Sequence, residues 1–145
     1  MRIVGHGVDL VENARIERMV DEHGSRFLER VFTPGEVAYA DDGGRRRIER
    51  LSGRFAVKEA ALKALGTGWR SGIAWTDFEV TLDPMGRPSL RVGGEARRIA
   101  ADRGIGAWLV SLSHTETHAI GSAIAVGDAG AKTDHGGGDG NGDAK

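Results

Sequence analysis

The sequence predicts an α+β domain in which a mostly antiparallel sheet packs against helices, one of them long. Three observations predict it. Residues 2–11 carry the β-branched content and alternation of a strand. Residues 46–65 place apolar side chains at helical spacing, with Ile48, Leu51, Phe55 and Leu62 forming one stripe at about 100° per residue. Beyond Gly72 the chain is mostly extended, its apolar runs separated by turn residues.

Taken in order, the first strand divides into two faces. Ile3, Gly5, Gly7, Asp9 and Val11 share one, and Val4, His6, Val8 and Leu10 the other. Missing side chains at Gly5 and Gly7 allow a backbone or a ligand to come close. A helix over 12–23 follows, with Ile16, Met19 and Val20 inward, and a short helical piece over 27–32. Thr33 before Pro34 reads as an N-cap with proline at N1, and Gly43-Gly44 breaks the chain ahead of the long helix. Gly66 is its expected C-cap. Strands are expected over 73–82 and 89–92 around the Asp83–Pro88 turn, then a short helix over 95–102 and strands over 107–113 and 118–126.

Composition fits one soluble domain over 1–126. With 28% charged residues and a net charge of −1, nothing favours nucleic acid or an anionic membrane in bulk. Zero cysteines exclude disulfide and thiol chemistry. No apolar run approaches the ~20 residues that span a bilayer and no signal-peptide pattern opens the chain, so the expected location is the cytoplasm. Residues 127–145 contain no large apolar side chain and read as a disordered Gly/Asp-rich tail. His135 among its aspartates reads as part of a solvated linker.

Chemistry gathers around Glu59, which projects within about 40° of the centre of the apolar stripe, with Lys63 beside it. A carboxylate there costs several kcal/mol unless a cation, a metal or a proton compensates it. The plainer alternative is an i,i+4 Glu–Lys surface pair. Asp9 lies near the end of the first strand, either as a ligand or simply leading into the turn. Two carboxylates from separate elements suit Mg²⁺, which takes one or two protein carboxylates and shares its shell with water and phosphate oxygens. Lys63 would then stabilise a departing phosphate.

Three segments carry a resemblance: Gly5-His-Gly-Val-Asp-Leu-Val11, the run from Arg54 to Gly68 that holds Lys58-Glu59 and Lys63, and Trp108-Leu-Val-Ser-Leu-Ser-His-Thr115. They resemble the signatures of holo-[acyl-carrier-protein] synthase, the small bacterial class of 4′-phosphopantetheinyl transferase. Phe32-Thr-Pro-Gly-Glu36 and Ile73-Ala-Trp-Thr-Asp-Phe-Glu-Val80 match between them, so the likeness covers 2 to about 126. His6 departs from it, since related sequences usually carry a small or aliphatic residue there.

The resemblance implies the 4′-phosphopantetheinyl transferase fold, a homotrimer with active sites between subunits, and a role in fatty-acid biosynthesis. It implies transfer of 4′-phosphopantetheine from coenzyme A to a serine of an apo acyl carrier protein, with release of adenosine 3′,5′-bisphosphate. Asp9 and Glu59 would hold Mg²⁺, and Asp9, Glu59 and Lys63 would be catalytic, with Glu59 taking the serine proton directly or through a water. Arg46, Arg50, Arg54, Lys63, Gly66, His114 and Thr115 would contact coenzyme A, and Arg15 and Arg18 the acidic carrier.

Each assignment has a plainer alternative. The arginines from Arg45 to Arg54 suit a 3′-phosphate or diphosphate, yet they also read as a solvated helix start. His114 also reads as a structural cap of its strand. Ser113-His114 alone suggests a hydrolase dyad, but neighbours in a strand point to opposite faces and no Gly-x-Ser-x-Gly elbow is present. Arg15 and Arg18 could pair with Glu12, Asp21 and Glu22 instead of a partner. A Mg²⁺-dependent phosphohydrolase and a non-catalytic coenzyme A-binding module remain as other functions.

Overall fold

The structure, a computed structural model, describes residues 1–69 and 72–128. Strand β1 (Arg2–Glu12) leads into α1 (Asn13–His23), α2 (Ser25–Val31) and α3 (Pro34–Asp41), and a single 3₁₀ turn at Gly44–Arg46 precedes the long helix α4 (Arg47–Leu65). After a second 3₁₀ turn at Trp75–Asp77 come β2 (Phe78–Leu82), β3 (Pro88–Val92), α5 (Gly94–Asp102), β4 (Ile105–His114) and β5 (His118–Gly127). The antiparallel strands form a three-stranded sheet in the order β1-β5-β4 and a separate β2-β3 hairpin. Among the described residues, no helix is long and apolar enough to cross a membrane.

The sheet takes α4 on one face at a distance that only glycine permits. A Cβ on Gly5 would stand 2.0 Å from the Ala64 carbonyl oxygen, one on Gly7 2.0 Å from that of Ala60, and one on Gly121 2.5 Å from the Ala56 carbonyl carbon. The glycines expected to admit a backbone thus admit that of α4, along its Ala56, Ala60 and Ala64 side. Gly7→Ala should cost about 1–3 kcal/mol, because rigid backbone rather than a flexible side chain must give way. Urea unfolding checks this, and an unchanged midpoint would contradict the close packing.

Of the expected stripe of α4, Leu51, Phe55 and Leu62 are buried and Ile48 is half-buried, and from Leu51 on nearly the whole circumference is buried, including Ser52, Arg54 and Lys58. Thr33 caps α3 as expected: its side chain accepts from Glu36 N–H while the Glu36 carboxylate accepts from Thr33 N–H at 3.0 Å. Gly66 ends α4 in the left-handed region at φ 88°.

Several boundaries differ from expectation. Glu12 ends β1 rather than starting α1, α2 is Ser25–Val31 rather than 27–32, and β4 is Ile105–His114 rather than 107–113. Residues 73–77 are not strand, because the Asp77 carboxylate accepts from Ala74 N–H and Ala96 N–H, each at 3.2 Å, and curls the chain. Arg46 lies in the 3₁₀ turn, so α4 begins one residue later. Gly127 belongs to β5, paired with Arg2 and Ile105, rather than to the tail. The expected disordered stretch lies outside the described residues from 129 onward.

The other face of the sheet is apolar and uncovered. Leu10 is 65% exposed and Leu109 54%, with Val8 and Ile120 more than 40% exposed beside them. His6 stands on the same face, opposite Ile124.

Candidate functional site

On edge strand β1, Asp9 faces α4 and meets Lys63, whose Nζ donates to Asp9 Oδ1 at 3.3 Å and to the Val8 carbonyl at 2.9 Å. Among the described residues, then, the ion pair of Lys63 runs across to the strand and not along the helix to Glu59. Glu59 is half-buried next to Asp9. Burial, and then the Asp9 charge, push the Glu59 carboxyl above the usual carboxylate range, against the pull of Lys63, Arg15 and the Trp69 indole. Lys63 and Arg15 do not fully offset the burial of Glu59 and its repulsion by Asp9, and two carboxylates so placed fit a hard divalent cation shared with phosphate. Among the described residues, no group of three or more His, Cys, Asp or Glu gathers.

The basic residues converge elsewhere. Arg46, Arg50, Arg54 and His114 line a cleft of about 270 Å³ between α3, α4, the β2-β3 hairpin and the end of β4. The guanidinium carbons of Arg50 and Arg54 each lie 4.1 Å from the ring centroid of Tyr39, and Arg50 donates to the Tyr39 carbonyl at 2.8 Å. Arg54 is buried, its Nε lacks a partner, and desolvation pushes its guanidinium down. It is no solvated fork on a helix surface. His114 touches the Glu49 carboxylate through Nδ1. Ser113 points to the opposite face, as strand alternation requires, and no dyad forms with His114.

The remaining coenzyme A candidates lie outside this cleft. Lys63 is with Asp9, Gly66 caps the far end of α4, and Thr115 sits in the turn after β4, where its Oγ1 accepts from Thr117 N–H and His118 N–H. Sequence reasoning passed over Tyr39 and Glu49. Glu49 carried a signal, being the sole acid between Arg45 and Arg54; Tyr39 carried none.

The acidic and basic groups are separated within the chain. Asp9 and His114 lie on opposite edge strands with β5 between, which sets the edges about 10 Å apart. Arg50 and Glu59 are nine positions apart on α4, half a turn at about 100° each, so the helix body stands between them.

A third surface adjoins the acidic pair. Arg15 lies with its guanidinium carbon 5.4 Å from the Phe55 ring centroid and shares a groove with Met19, Phe27 and Arg30. Arg26 and His23 border a second groove beyond Met19. Arg18 is exposed and lines neither. The expected local partners are engaged elsewhere or free: among the described residues Glu22 pairs with His23 and Glu12 with His118.

Residues 5–121 match the family model of the 4′-phosphopantetheinyl transferase superfamily. A holo-[acyl-carrier-protein] synthase from Solibacter usitatus (strain Ellin6076) is 46% identical over 124 residues, covering 86% of this chain and 97% of the relative. The crystal structure of holo-[acyl-carrier-protein] synthase from Neisseria meningitidis superposes with a TM-score of 0.78 at 31% identity, covering 86% and 98% of the two chains. The Bacillus anthracis holo-(acyl-carrier-protein) synthase in complex with CoA (3′,5′-ADP) has a TM-score of 0.72 at 34% identity, covering 88% and 100%.

Proposed function

The chain belongs to the 4′-phosphopantetheinyl transferase superfamily, and from that premise we propose that it acts as a holo-[acyl-carrier-protein] synthase whose active sites form between subunits of a homotrimer. It transfers 4′-phosphopantetheine from coenzyme A to a serine of an apo acyl carrier protein, that of fatty-acid synthesis. One observation carries the shared-site reading: the acidic pair and the basic cleft stand on opposite sides of α4, where one chain cannot offer both to one ligand. Pairing the acidic edge of one chain with the basic edge of the next joins them. The uncovered apolar face of Val8, Leu10, Leu109 and Ile120 supports such an association, since burying it removes nonpolar area from water.

In the reaction the serine Oγ attacks the β-phosphorus of coenzyme A, an Oγ–P bond forms, and the bond from that phosphorus to the bridging oxygen breaks. Adenosine 3′,5′-bisphosphate leaves. Arg50 and Arg54, ordered on Tyr39, would grip phosphate with guanidinium forks, and the imidazole of His114 would donate to an oxygen of the same ligand. Glu59, whose half-buried carboxyl is raised above the usual carboxylate range, suits removal of the serine proton. Lys63, anchored on Val8 and Asp9, would stabilise charge on the departing phosphate. Asp9 and Glu59 would hold Mg²⁺, which supplies Lewis acidity at the diphosphate.

Incubation with coenzyme A, Mg²⁺ and apo carrier tests the activity. Transfer predicts a carrier heavier by one phosphopantetheine; cleavage without carrier would indicate a hydrolase, and binding alone a module. Mixing Glu59→Gln protein with His114→Ala protein tests the shared site. Assayed well below the parent coenzyme A Kd, Glu59→Gln is inactive and His114→Ala runs at about a tenth of the parent rate on this reading, while random association restores the parent pairing to about a quarter of the sites in mixed trimers. No recovery, with subunit exchange verified by native mass spectrometry, would place both halves in one chain.

The carrier would dock on the face of α1 and α2, where Arg15, Arg26 and Arg30 border the grooves of Met19 and Phe27 and exposed Arg18 stands outside them. Arg18→Glu with Arg30→Glu should raise carrier KM severalfold, flatten its salt dependence and leave coenzyme A affinity unchanged, because exposed charges act on encounter and are screened beyond about 10 Å at 0.1 M salt. Arg15→Glu should lower kcat as well, since its charge reaches Glu59. An unaltered KM in the double reversal would remove this face from the binding surface.

A further inference from the structure

We propose that Glu49 is a positioning residue for His114: its carboxylate holds Nδ1 of the imidazole, so that Nε2 is the nitrogen offered to the ligand in the basic cleft. The inference rests on the reading of that cleft as the coenzyme A site. His114 is the last residue of β4, where the chain leaves the ladder for a turn, and 42% of its side chain is exposed. An imidazole there is free to flip about χ2, whose wells are broad and two-fold. Glu49, in the first turn of α4, reaches across and touches Nδ1, and both side chains line the cleft.

The other charged groups of the cleft, Arg46, Arg50 and Arg54, are cations that suit phosphate. A lone carboxylate among them would repel the same ligand. Contact with imidazole removes that conflict. It occupies the carboxylate oxygen, and it fixes the ring so that Nε2, a donor or an acceptor by tautomer, faces the ligand. Glu49 therefore touches no reacting atom and acts through the aim of its neighbour, as carboxylates do behind metal-bound histidines.

The test uses the full chain labelled with ¹⁵N-histidine. Long-range ¹H–¹⁵N correlation reports which ring nitrogens carry protons, with His114 assigned by its loss in His114→Ala, and calorimetry gives the coenzyme A Kd. Glu49→Ala should weaken coenzyme A about tenfold, close to the effect of His114→Ala. The double variant should bind no worse than His114→Ala alone, because two residues that act as one unit are not additive. Glu49→Gln, whose amide oxygen still accepts from Nδ1–H, should keep the parent's nitrogen pattern and recover part of the affinity, whereas Glu49→Ala loses that pattern. Parent-like coenzyme A binding by Glu49→Ala, or losses that multiply in the double variant, would overturn the role of Glu49 alone. Parent-like binding by His114→Ala would remove the coenzyme A reading of the cleft and this role with it.

Discussion

Glu59→Gln should lose carrier modification by about 10²–10³-fold yet melt at or above the temperature of the parent in metal-free buffer at neutral pH. The two effects have one origin. Half-burial and the adjacent Asp9 charge raise the Glu59 carboxyl, so the folded chain holds that proton more tightly than the unfolded chain does. Ionisation at neutral pH therefore costs stability. The cost is absent below the ordinary carboxylate value of about 4.3 and grows as pH rises through the raised value. Replacing the carboxyl with an amide removes it, and the gain in melting temperature should vanish in acid. Mg²⁺ should stabilise the parent by binding the folded state and leave Glu59→Gln unaffected. Asp9→Asn should lose activity equally but gain less stability, because its carboxylate also pairs with Lys63. Melting curves with and without Mg²⁺ at two pH values, alongside transfer assays, check both halves. Activity within about threefold of the parent in either variant would contradict the metal assignment.

What could be read from the chain alone was local. Alternation marked β1, Thr33-Pro34 marked the start of α3, and Gly66 marked the end of α4, each because the cause lies within a few residues. Glu59 stood out because it put a charge where helical periodicity calls for a core residue, and Asp9 because it shares a strand face with Gly5 and Gly7. The misread turn at Trp75–Asp77 depends on partners distant in sequence: Trp75 stacks on Phe55 at 4.9 Å, and Asp77 bonds to α5. Arg54 read as a free fork because the ring of Tyr39 reaches it only once α3 has folded over α4. Lys58 passed unremarked, although it is as deeply buried as any residue of the core. Its position opposite the sheet gives no sign in a helical wheel that carbonyls from three other elements converge there.

Those carbonyls make Lys58→Met the most destabilising single change to expect. Lys58 Nζ donates to the backbone oxygens of Val31 at 2.9 Å, Trp75 at 3.2 Å and Phe78 at 2.7 Å, and pairs with Glu36 Oε1 at 2.6 Å. The same carboxylate accepts from Thr33 N–H and, at 2.6 Å, from Val80 N–H. One ammonium thus joins the end of α2, the start of α3, the 3₁₀ turn and β2 to α4. Desolvation pushes that ammonium down, and Glu36 only partly offsets it. Methionine keeps the length but takes the Lys58 donor from the Val31 and Phe78 carbonyls, leaves that of Trp75 with the Phe78 N–H, and strips a fully buried carboxylate of its cation. The loss should be about 3–5 kcal/mol, a fall on the order of 10–20 °C in melting temperature for a domain of this size. Glu36→Gln in the Lys58→Met background should recover part of it, because an amide needs no counterion, although its single oxygen accepts from only one of the two backbone donors and its NH2 faces the other. A loss within about 1 kcal/mol for Lys58→Met would mean the buried pair contributes no more than an exposed one. In that case the shell that carries Tyr39 over Arg50 and Arg54 would have to be held by apolar packing alone.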